Sequence, residues 1–197
     1  MLTVENTIVW LRDFAEKIET EKGYLSELDS VIGDGDHGSN MARGVTAMVE
    51  KLDQGNFSSV EEVFKVAAMA LLGKIGGASG PLYGSALLDM AKASGQDTTD
   101  IGLVVSAGLT GIQKRGKAEV GEKTMVDVWS PVAEQLATKS LTRESVEEIV
   151  DKTKAIKATK GRASYLGDRS IGNLDPGAVS SGYFFLCLLK GDIINGL

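Results

Sequence analysis

Asp29-Ser-Val-Ile-Gly-Asp-Gly-Asp-His-Gly-Ser-Asn-Met-Ala-Arg-Gly44 carries three aspartates, Asp29, Asp34 and Asp36, in the pattern D-x4-D-x-D. Gly33, Gly35 and Gly38 lie between and just after them and permit tight backbone turns. No apolar periodicity passes through the aspartates, so a loop is expected there. Met41, Val45, Met48, Val49 and Leu52 restart a helical spacing directly afterwards. Carboxylates this close repel one another unless a cation lies between them, and hard divalent ions with oxygen ligands, Mg2+ or Ca2+, suit such a set. The same loop feeds a helix N-terminus, whose free N–H groups attract anions. A cation site beside an anion site suggests a metal-bridged phosphate. The plain alternative is a solvated turn with N-capping aspartates. An EF-hand fails on register: counting from Asp34, Gly38 falls at a ligand position and Ser39 where the invariant glycine belongs.

The flanking sequence is helical in both directions. Upstream, Val4, Ile8, Leu11, Phe14 and Ile18 repeat at helical spacing, with Thr3 as a cap and Gly23 as the expected end. Downstream, the second helix runs from about Gly38 to Asp53. Ser59-Val-Glu-Glu62 reads as a capping box that opens a third, ending near Gly73. Pro81 fits the first position of a fourth helix reaching about Ala93. A fifth, capped by Thr98 or Thr99, ends at the basic turn Lys114-Arg-Gly-Lys117. A sixth carries Met125, Val128, Trp129, Val132 and Leu136, with a kink or break expected at Pro131. A seventh runs through Val146, Ile149, Val150, Thr153 and Ile156 to about Lys160-Gly161. Asp175-Pro-Gly177 opens an apolar eighth, with Asp as N-cap and Pro at the first position. No run shows the period-two alternation of a strand. The expected fold is all-α.

Composition bounds the function classes. A chain of 197 residues with net charge −6 suits one domain spanning 1–197. The acidic balance argues against nucleic-acid or anionic-membrane partners. It also means that an anionic ligand needs divalent ions to approach the aspartates. The single cysteine, Cys187, lies in an apolar run and reads as a core thiol, so neither a disulfide nor a cysteine zinc site is expected. The N-terminus has no signal-peptide pattern and no apolar run reaches membrane-spanning length, which makes a cytoplasmic protein the expectation.

Two further stretches stand out. Gly76-Gly-Ala-Ser-Gly-Pro-Leu-Tyr-Gly84 places small residues before a helix N-terminus, where backbone can approach an anion. It is not a Walker A loop, because no Gly-Lys-Ser/Thr follows. Gly161 to Leu174 shows no sustained periodicity and carries Arg162 and Arg169, so a functional lid is expected there, without fixed partners until a ligand binds. The unusual turns fall at alternate helix connections, which in an up-and-down order gathers them at one end of an antiparallel bundle.

Four segments together resemble the nucleotide-binding L subunit, or L domain, of dihydroxyacetone kinases: I-G-D-G-D-H-G-S-N-M-A-R-G, G-G-A-S-G-P-L-Y-G, R-G-K-A-E-V-G-E-K-T-M-V-D-V-W and K-G-R-A-S-Y-L-G-D-R-S-I-G-N-L-D-P-G-A. They span most of the chain in the family's order. The resemblance implies an eight-helix antiparallel up-and-down barrel with the nucleotide, ADP or ATP, at one end. It implies that Asp29, Asp34 and Asp36 hold two Mg2+ ions. His37, Gly38, Ser39 and Asn40 would line the phosphate end with Ala78 and Ser79, and Gly116, Met125, Arg162, Asp175, Pro176 and Gly177 would approach the nucleotide. Arg162 is the candidate for pairing with the transferring phosphoryl group. His37, the chain's one histidine, reads as a catalytic base or as a donor to phosphate or in a structural hydrogen bond. The donor readings are preferred, because the family's substrate-activating histidine lies on the K subunit. The family has fused forms that exchange ATP. It also has free L chains that keep ADP and receive phosphate from a phosphohistidine M subunit of the phosphotransferase system. With the sequence closing at Leu197, the second form is expected, with K and M subunits as partners. A regulatory module acting on a transcriptional regulator is the competing class, and a metal-dependent phosphohydrolase a third.

Overall fold

The computed structural model of the chain describes residues 1–74, 76–191, 193 and 194. Among these there are eight α-helices and no strand: α1 (Val4–Ile32), α2 (His37–Gln54), α3 (Val60–Lys74), α4 (Ser79–Ser94), α5 (Ile101–Gly116), α6 (Val126–Ala137), α7 (Arg143–Lys152) and α8 (Pro176–Lys190). Each helix packs against its successor, and α8 returns to pack on α1, so the up-and-down bundle closes into a barrel. Phe184 of α8 sits at the centre of the core. Its ring lies 4.5 Å from Trp10, 5.1 Å from Phe14 and 5.4 Å from Trp129, centroid to centroid. Trp10 donates its indole N–H to the Phe184 carbonyl at 2.8 Å, which ties α1 to α8.

Several caps form as their sequences predict. Thr3 accepts from the amide three residues on, and Asp175 accepts from Ala178 N–H at 2.8 Å; Thr142, not singled out from the sequence, caps α7 in the same way as Thr3. Other boundaries differ, each for an identifiable reason. Helix α1 does not stop at Gly23 but runs on to Ile32, giving 29 residues. Leu25 and Ile32 are buried beyond that glycine, and their packing outweighs a helix penalty of about 1 kcal/mol. Asp29 therefore stands on the last turn of α1 rather than on a loop. Pro131 lies inside α6 without breaking it, because Trp129 and Val132 on either side are fully buried and hold the helix. Asp100, not Thr98 or Thr99, caps α5, accepting from Leu103 N–H at 3.0 Å. Helix α4 begins at Ser79, so Pro81 is its third residue, still within the turn whose amides have no helical partner.

Helix α7 ends at Lys152, earlier than its apolar spacing suggests, and passes into a 3-10 turn over Thr153–Ala155. The cause is Lys123, a fully buried lysine whose ammonium donates to the carbonyls of Thr153 (2.7 Å), Lys154 (3.3 Å) and Ile156 (3.1 Å). The ammonium thus satisfies carbonyls at the end of the helix, and the Thr153 carbonyl accepts Ile156 N–H in a 3-10 bond rather than an amide four residues on. The segment expected to be an untethered lid is also structured. Arg162–Ser170 forms 3-10 turns, divided at Gly167 where φ is 55°. Ala163 is buried with Ile32 and Ala158, and Leu166 packs on them. Ser170 is fully buried; its Oγ accepts from Ala158 N–H at 2.9 Å and donates to the Gly167 carbonyl at 2.7 Å.

Candidate functional site

The C-terminal end of α1 meets the N-terminal end of α2 through the tetrapeptide Gly33–Asp36. Asp29 organises this junction: its Oδ2 accepts from the amides of Asp36 (2.9 Å) and His37 (3.0 Å). It thus caps α2 from the neighbouring helix, while Asp36, at the N-cap position, makes no side-chain cap bond. The Asp29 carboxylate leaves no room for a side chain at Gly33, where a Cβ would lie 2.1 Å from its Oδ1. Gly35 takes φ +78°, a region that favours glycine. The result brings ligand atoms of Asp29, Asp34 and Asp36 within 4.8 Å of one another. Burial, together with the neighbouring Asp34 and Asp36, pushes the Asp29 carboxyl above its usual range despite its two amide bonds. Such a set is electrostatically uncomfortable when empty and suits a small hard cation.

The same end of the barrel encloses an open cavity of about 680 Å3, within the range of roughly 300–1,000 Å3 typical of ligand pockets. Four helix junctions wall it. The first supplies the three aspartates, His37 and Asn40. The α3–α4 turn supplies Gly76, Gly77, Ala78 and Ser79; the α5–α6 connection supplies Gly116, Lys123, Thr124 and Met125; and the connection into α8 supplies Arg162, Asp175, Pro176 and Gly177. Pro81, Leu82, Ile112 and Ala118 add an apolar portion. The N-termini of α2, α4, α6 and α8 all open towards this space, so the positive ends of four helix dipoles meet there, although Asp29 and Asp175 already take amides of α2 and α8.

Of the residues singled out from sequence, Gly38 and Ser39 do not reach the cavity wall. Gly38 is a packing glycine: a Cβ there would lie 1.8 Å from the Lys22 carbonyl oxygen of α1. Ser39 is exposed and donates to the Asp36 carbonyl at 3.0 Å. Asn40 does line the wall, its amide oxygen bonded by the Arg43 guanidinium. Arg43 also donates to the Lys74 carbonyl at 3.2 Å and so fastens the α3–α4 turn to α2. Arg162 lies at the mouth, its guanidinium 2.5 Å from Asp34 Oδ2. The expectation that it lacks a partner is therefore corrected: it pairs with a carboxylate of the candidate metal set.

His37 is buried, with Nδ1 3.0 Å from Ser79 Oγ and Nε2 3.0 Å from Ser180 Oγ. Burial lowers its pKa to about 4, so the ring is neutral near pH 7. Both nitrogens are engaged, which favours a structural hydrogen-bonding part over a free base. Sequence reading missed Lys123, Asp127 and Ser180. Asp127 accepts from Gly121 N–H (2.6 Å) and Thr124 N–H (2.8 Å), shaping the turn that carries Lys123 at φ 61°. The E-V-G-E-K-T-M-V-D segment was visible as a motif. Nothing in it said that the lysine turns inward to helix carbonyls.

A helical barrel with one open, acidic, amide-rich end defines the class. The family model described as the DAK2 domain matches residues 31–190, and the chain belongs to that family. It is 55% identical over 190 residues to the ADP-binding subunit DhaL of the PTS-dependent dihydroxyacetone kinase of Lactococcus lactis, covering 96% of this chain and 98% of that one. It is 42% identical over 186 residues to the ADP-binding subunit DhaL of the PEP-dependent dihydroxyacetone kinase of Escherichia coli, covering 87% and 89%. The dihydroxyacetone kinase of C. freundii, solved in complex with AMP-PNP and Mg2+, shares the fold with a TM-score of 0.74 at 23% identity, over 96% of this chain and 34% of that one.

Proposed function

We propose that this chain is the nucleotide-carrying subunit of a cytoplasmic dihydroxyacetone kinase. It holds ADP with two Mg2+ in the open end of the barrel and receives a phosphoryl group from a phosphohistidine M subunit of the phosphotransferase system. It then presents that group to dihydroxyacetone held on a separate K subunit. The observation that carries this reading is the convergence of Asp29, Asp34 and Asp36 on one point of a cavity that four helix junctions enclose. The near full-length similarity to ADP-binding DhaL subunits supports it.

The residues present fit a divalent ion: three carboxylates, one of them held above its usual pKa range by burial, face one another, with only Asp34 paired, to Arg162, among the described residues. When bound, Mg2+ would supply charge neutralisation for both the carboxylates and the diphosphate. Phosphoryl transfer asks for positioning and charge stabilisation more than covalent chemistry, and the chain's own parts are of that kind. Asp29 turns Oδ2 to the α2 amides, so Oδ1 would be the oxygen free to hold a metal ion. Ser79, Asn40, Asp175 and Gly177 line the space where phosphates and ribose would be oriented. The Leu82, Ile112 and Met125 side chains offer an apolar surface to a base. Arg162 would exchange Asp34 for a phosphoryl oxygen, a charge-assisted bond.

Asp34→Asn and Asp36→Asn should each weaken Mg-ADP binding at least tenfold by calorimetric titration, on the scale of a lost charged ligand, with helical circular dichroism retained. Unchanged affinity in both would remove the metal assignment. The chain with ATP and dihydroxyacetone should form no dihydroxyacetone phosphate until a K subunit is added. Turnover by the chain alone would overturn the division of labour.

A further inference from the structure

We propose that Trp129, Ser181, Tyr83 and Ser180 form a hydrogen-bond chain that, with phosphate bound in the cavity, holds His37 as its Nδ1–H tautomer and so leaves the Ser79 hydroxyl proton for a phosphate oxygen. The inference rests on the nucleotide reading above and assigns these four residues as positioning groups.

The chain starts at a donor without acceptor capacity. The Trp129 indole N–H donates to Ser181 Oγ at 3.0 Å. Ser181 must then send its own proton elsewhere, and Tyr83 Oη lies 3.3 Å away. Tyr83 is fully enclosed, and burial pushes its phenol up to about 12, so it keeps its proton. That proton points to Ser180 Oγ at 2.8 Å. Ser180 reaches His37 Nε2 at 3.0 Å. Given that proton, Nε2 is an acceptor, and the neutral ring carries its hydrogen on Nδ1, 3.0 Å from Ser79 Oγ. Ser79 accepts from inside the protein and faces the cavity with its proton unassigned.

One alternative wiring satisfies the interior equally. Ser180 also lies 3.2 Å from the Gly177 carbonyl. If its proton goes there, Nε2–H donates to Ser180 and Ser79 donates inward to Nδ1. The Gly177 carbonyl can take that proton on its second lone pair beside its ladder bond, so the interior alone does not choose. That wiring, however, would turn only oxygen lone pairs of Ser79 towards an anion. Bound phosphate therefore selects the Nδ1–H form.

The chain has a single histidine, so 15N-histidine labelling yields one ring and its tautomer is read directly from long-range 1H–15N correlations. In the Mg-ADP complex the ring should be Nδ1–H with Nε2 unprotonated. An Nε2–H ring in a protein that binds Mg-ADP would overturn the relay while sparing the nucleotide reading. Failure to bind Mg-ADP would overturn both. Tyr83→Phe keeps the ring in the core and removes the hydroxyl that supplies Ser180. It should mix the tautomers and weaken Mg-ADP about three- to tenfold, as expected for one buried hydrogen bond. Ser79→Ala should weaken it similarly, and the double variant should bind no worse than Ser79→Ala alone. Additive losses, or an unchanged tautomer in Tyr83→Phe, would reduce Tyr83 to ordinary core packing.

Discussion

At the scale of single residues, glycines that look alike in sequence have opposite consequences. Gly23 sits in the middle of α1 with open space where a Cβ would project, so Gly23→Ala should raise stability by about 0.5–1 kcal/mol in urea unfolding. Gly38 faces the Lys22 carbonyl at 1.8 Å from a would-be Cβ. Backbone cannot yield as a flexible side chain can, so Gly38→Ala should destabilise by roughly 1–3 kcal/mol. It should also weaken Mg-ADP, because α1 and α2 must separate where Asp29 caps His37. Asp175 gives a pH-dependent case. Its carboxyl is pushed up to about 6, chiefly by burial, in spite of the Ala178 amide and nearby Lys123. A carboxyl with a raised folded pKa favours folding while it is protonated. Its contribution is present below the unfolded value of about 3.9 and is lost as pH rises through about 6. Asparagine can cap a helix without that charge. Asp175→Asn should therefore flatten the fall in stability of the metal-free protein between pH 4 and 6, and at pH 8 raise it on the order of 1 kcal/mol. An unchanged pH profile in chemical denaturation would show that the carboxyl is not the source.

At the scale of elements, local chemistry was legible where it acts within a few residues and illegible where it acts through space. Thr3 and Asp175 cap the helices that their positions announce, because a cap needs only the next three amides. The ends of α1 and α7 were misjudged, because Ile32 packs on Ala158 and Ala163, and the ammonium of Lys123 takes three carbonyls some thirty residues further along the chain. Asp29, Asp34 and Asp36 were legible as a set from spacing, yet not that Asp29 belongs to a helix and caps the next one. The segment after Gly161 looked untethered because its anchors, Ser170 and Ala163, are small residues without periodicity. Among the described residues the exposed Arg162–Asp34 ion pair links it to the acid cluster, and such pairs contribute only about 0.2–1 kcal/mol. Arg162→Ala should therefore tighten binding of Mg2+ alone slightly, no more than about fivefold, since Asp34 loses a competing cation, while it weakens Mg-ADP. Calorimetry with and without nucleotide separates the two signs. A loss of affinity for Mg2+ alone would mean that Arg162 orients Asp34 rather than competing for it. Trypsin, which cuts after Arg162 and Arg169, should act more slowly on the wild-type chain with Mg-ADP than without.

At the scale of the whole molecule, the site is as rigid as the closure of the barrel, because no single element contains it. The walls come from the ends of α1 and α5 and the starts of α2, α4, α6 and α8, and α8 completes the ring by packing on α1 through Phe184 and Trp10. A ligand that touches all these junctions binds only the closed barrel. By mass action it must stabilise the global fold by about 2.7 kcal/mol at a hundredfold excess over Kd. Hydrogen exchange can then distinguish two pictures. If Mg-ADP bridges the junctions, the slowest amides in the centres of α1, α4 and α8, which exchange by global unfolding, gain protection equal to that binding free energy, as do the amides of residues 161–174. If the nucleotide is held mainly by residues 161–174 and the mouth, the central amides gain the same global protection, but among amides that exchange by local opening only those of residues 161–174 slow, while those at the starts of α2, α4 and α6 do not. The N-termini of four helices around one cavity favour the first outcome. Asp34→Asn should abolish protection in both regions together if Asp29, Asp34 and Asp36 hold the metal of the proposed Mg-ADP site.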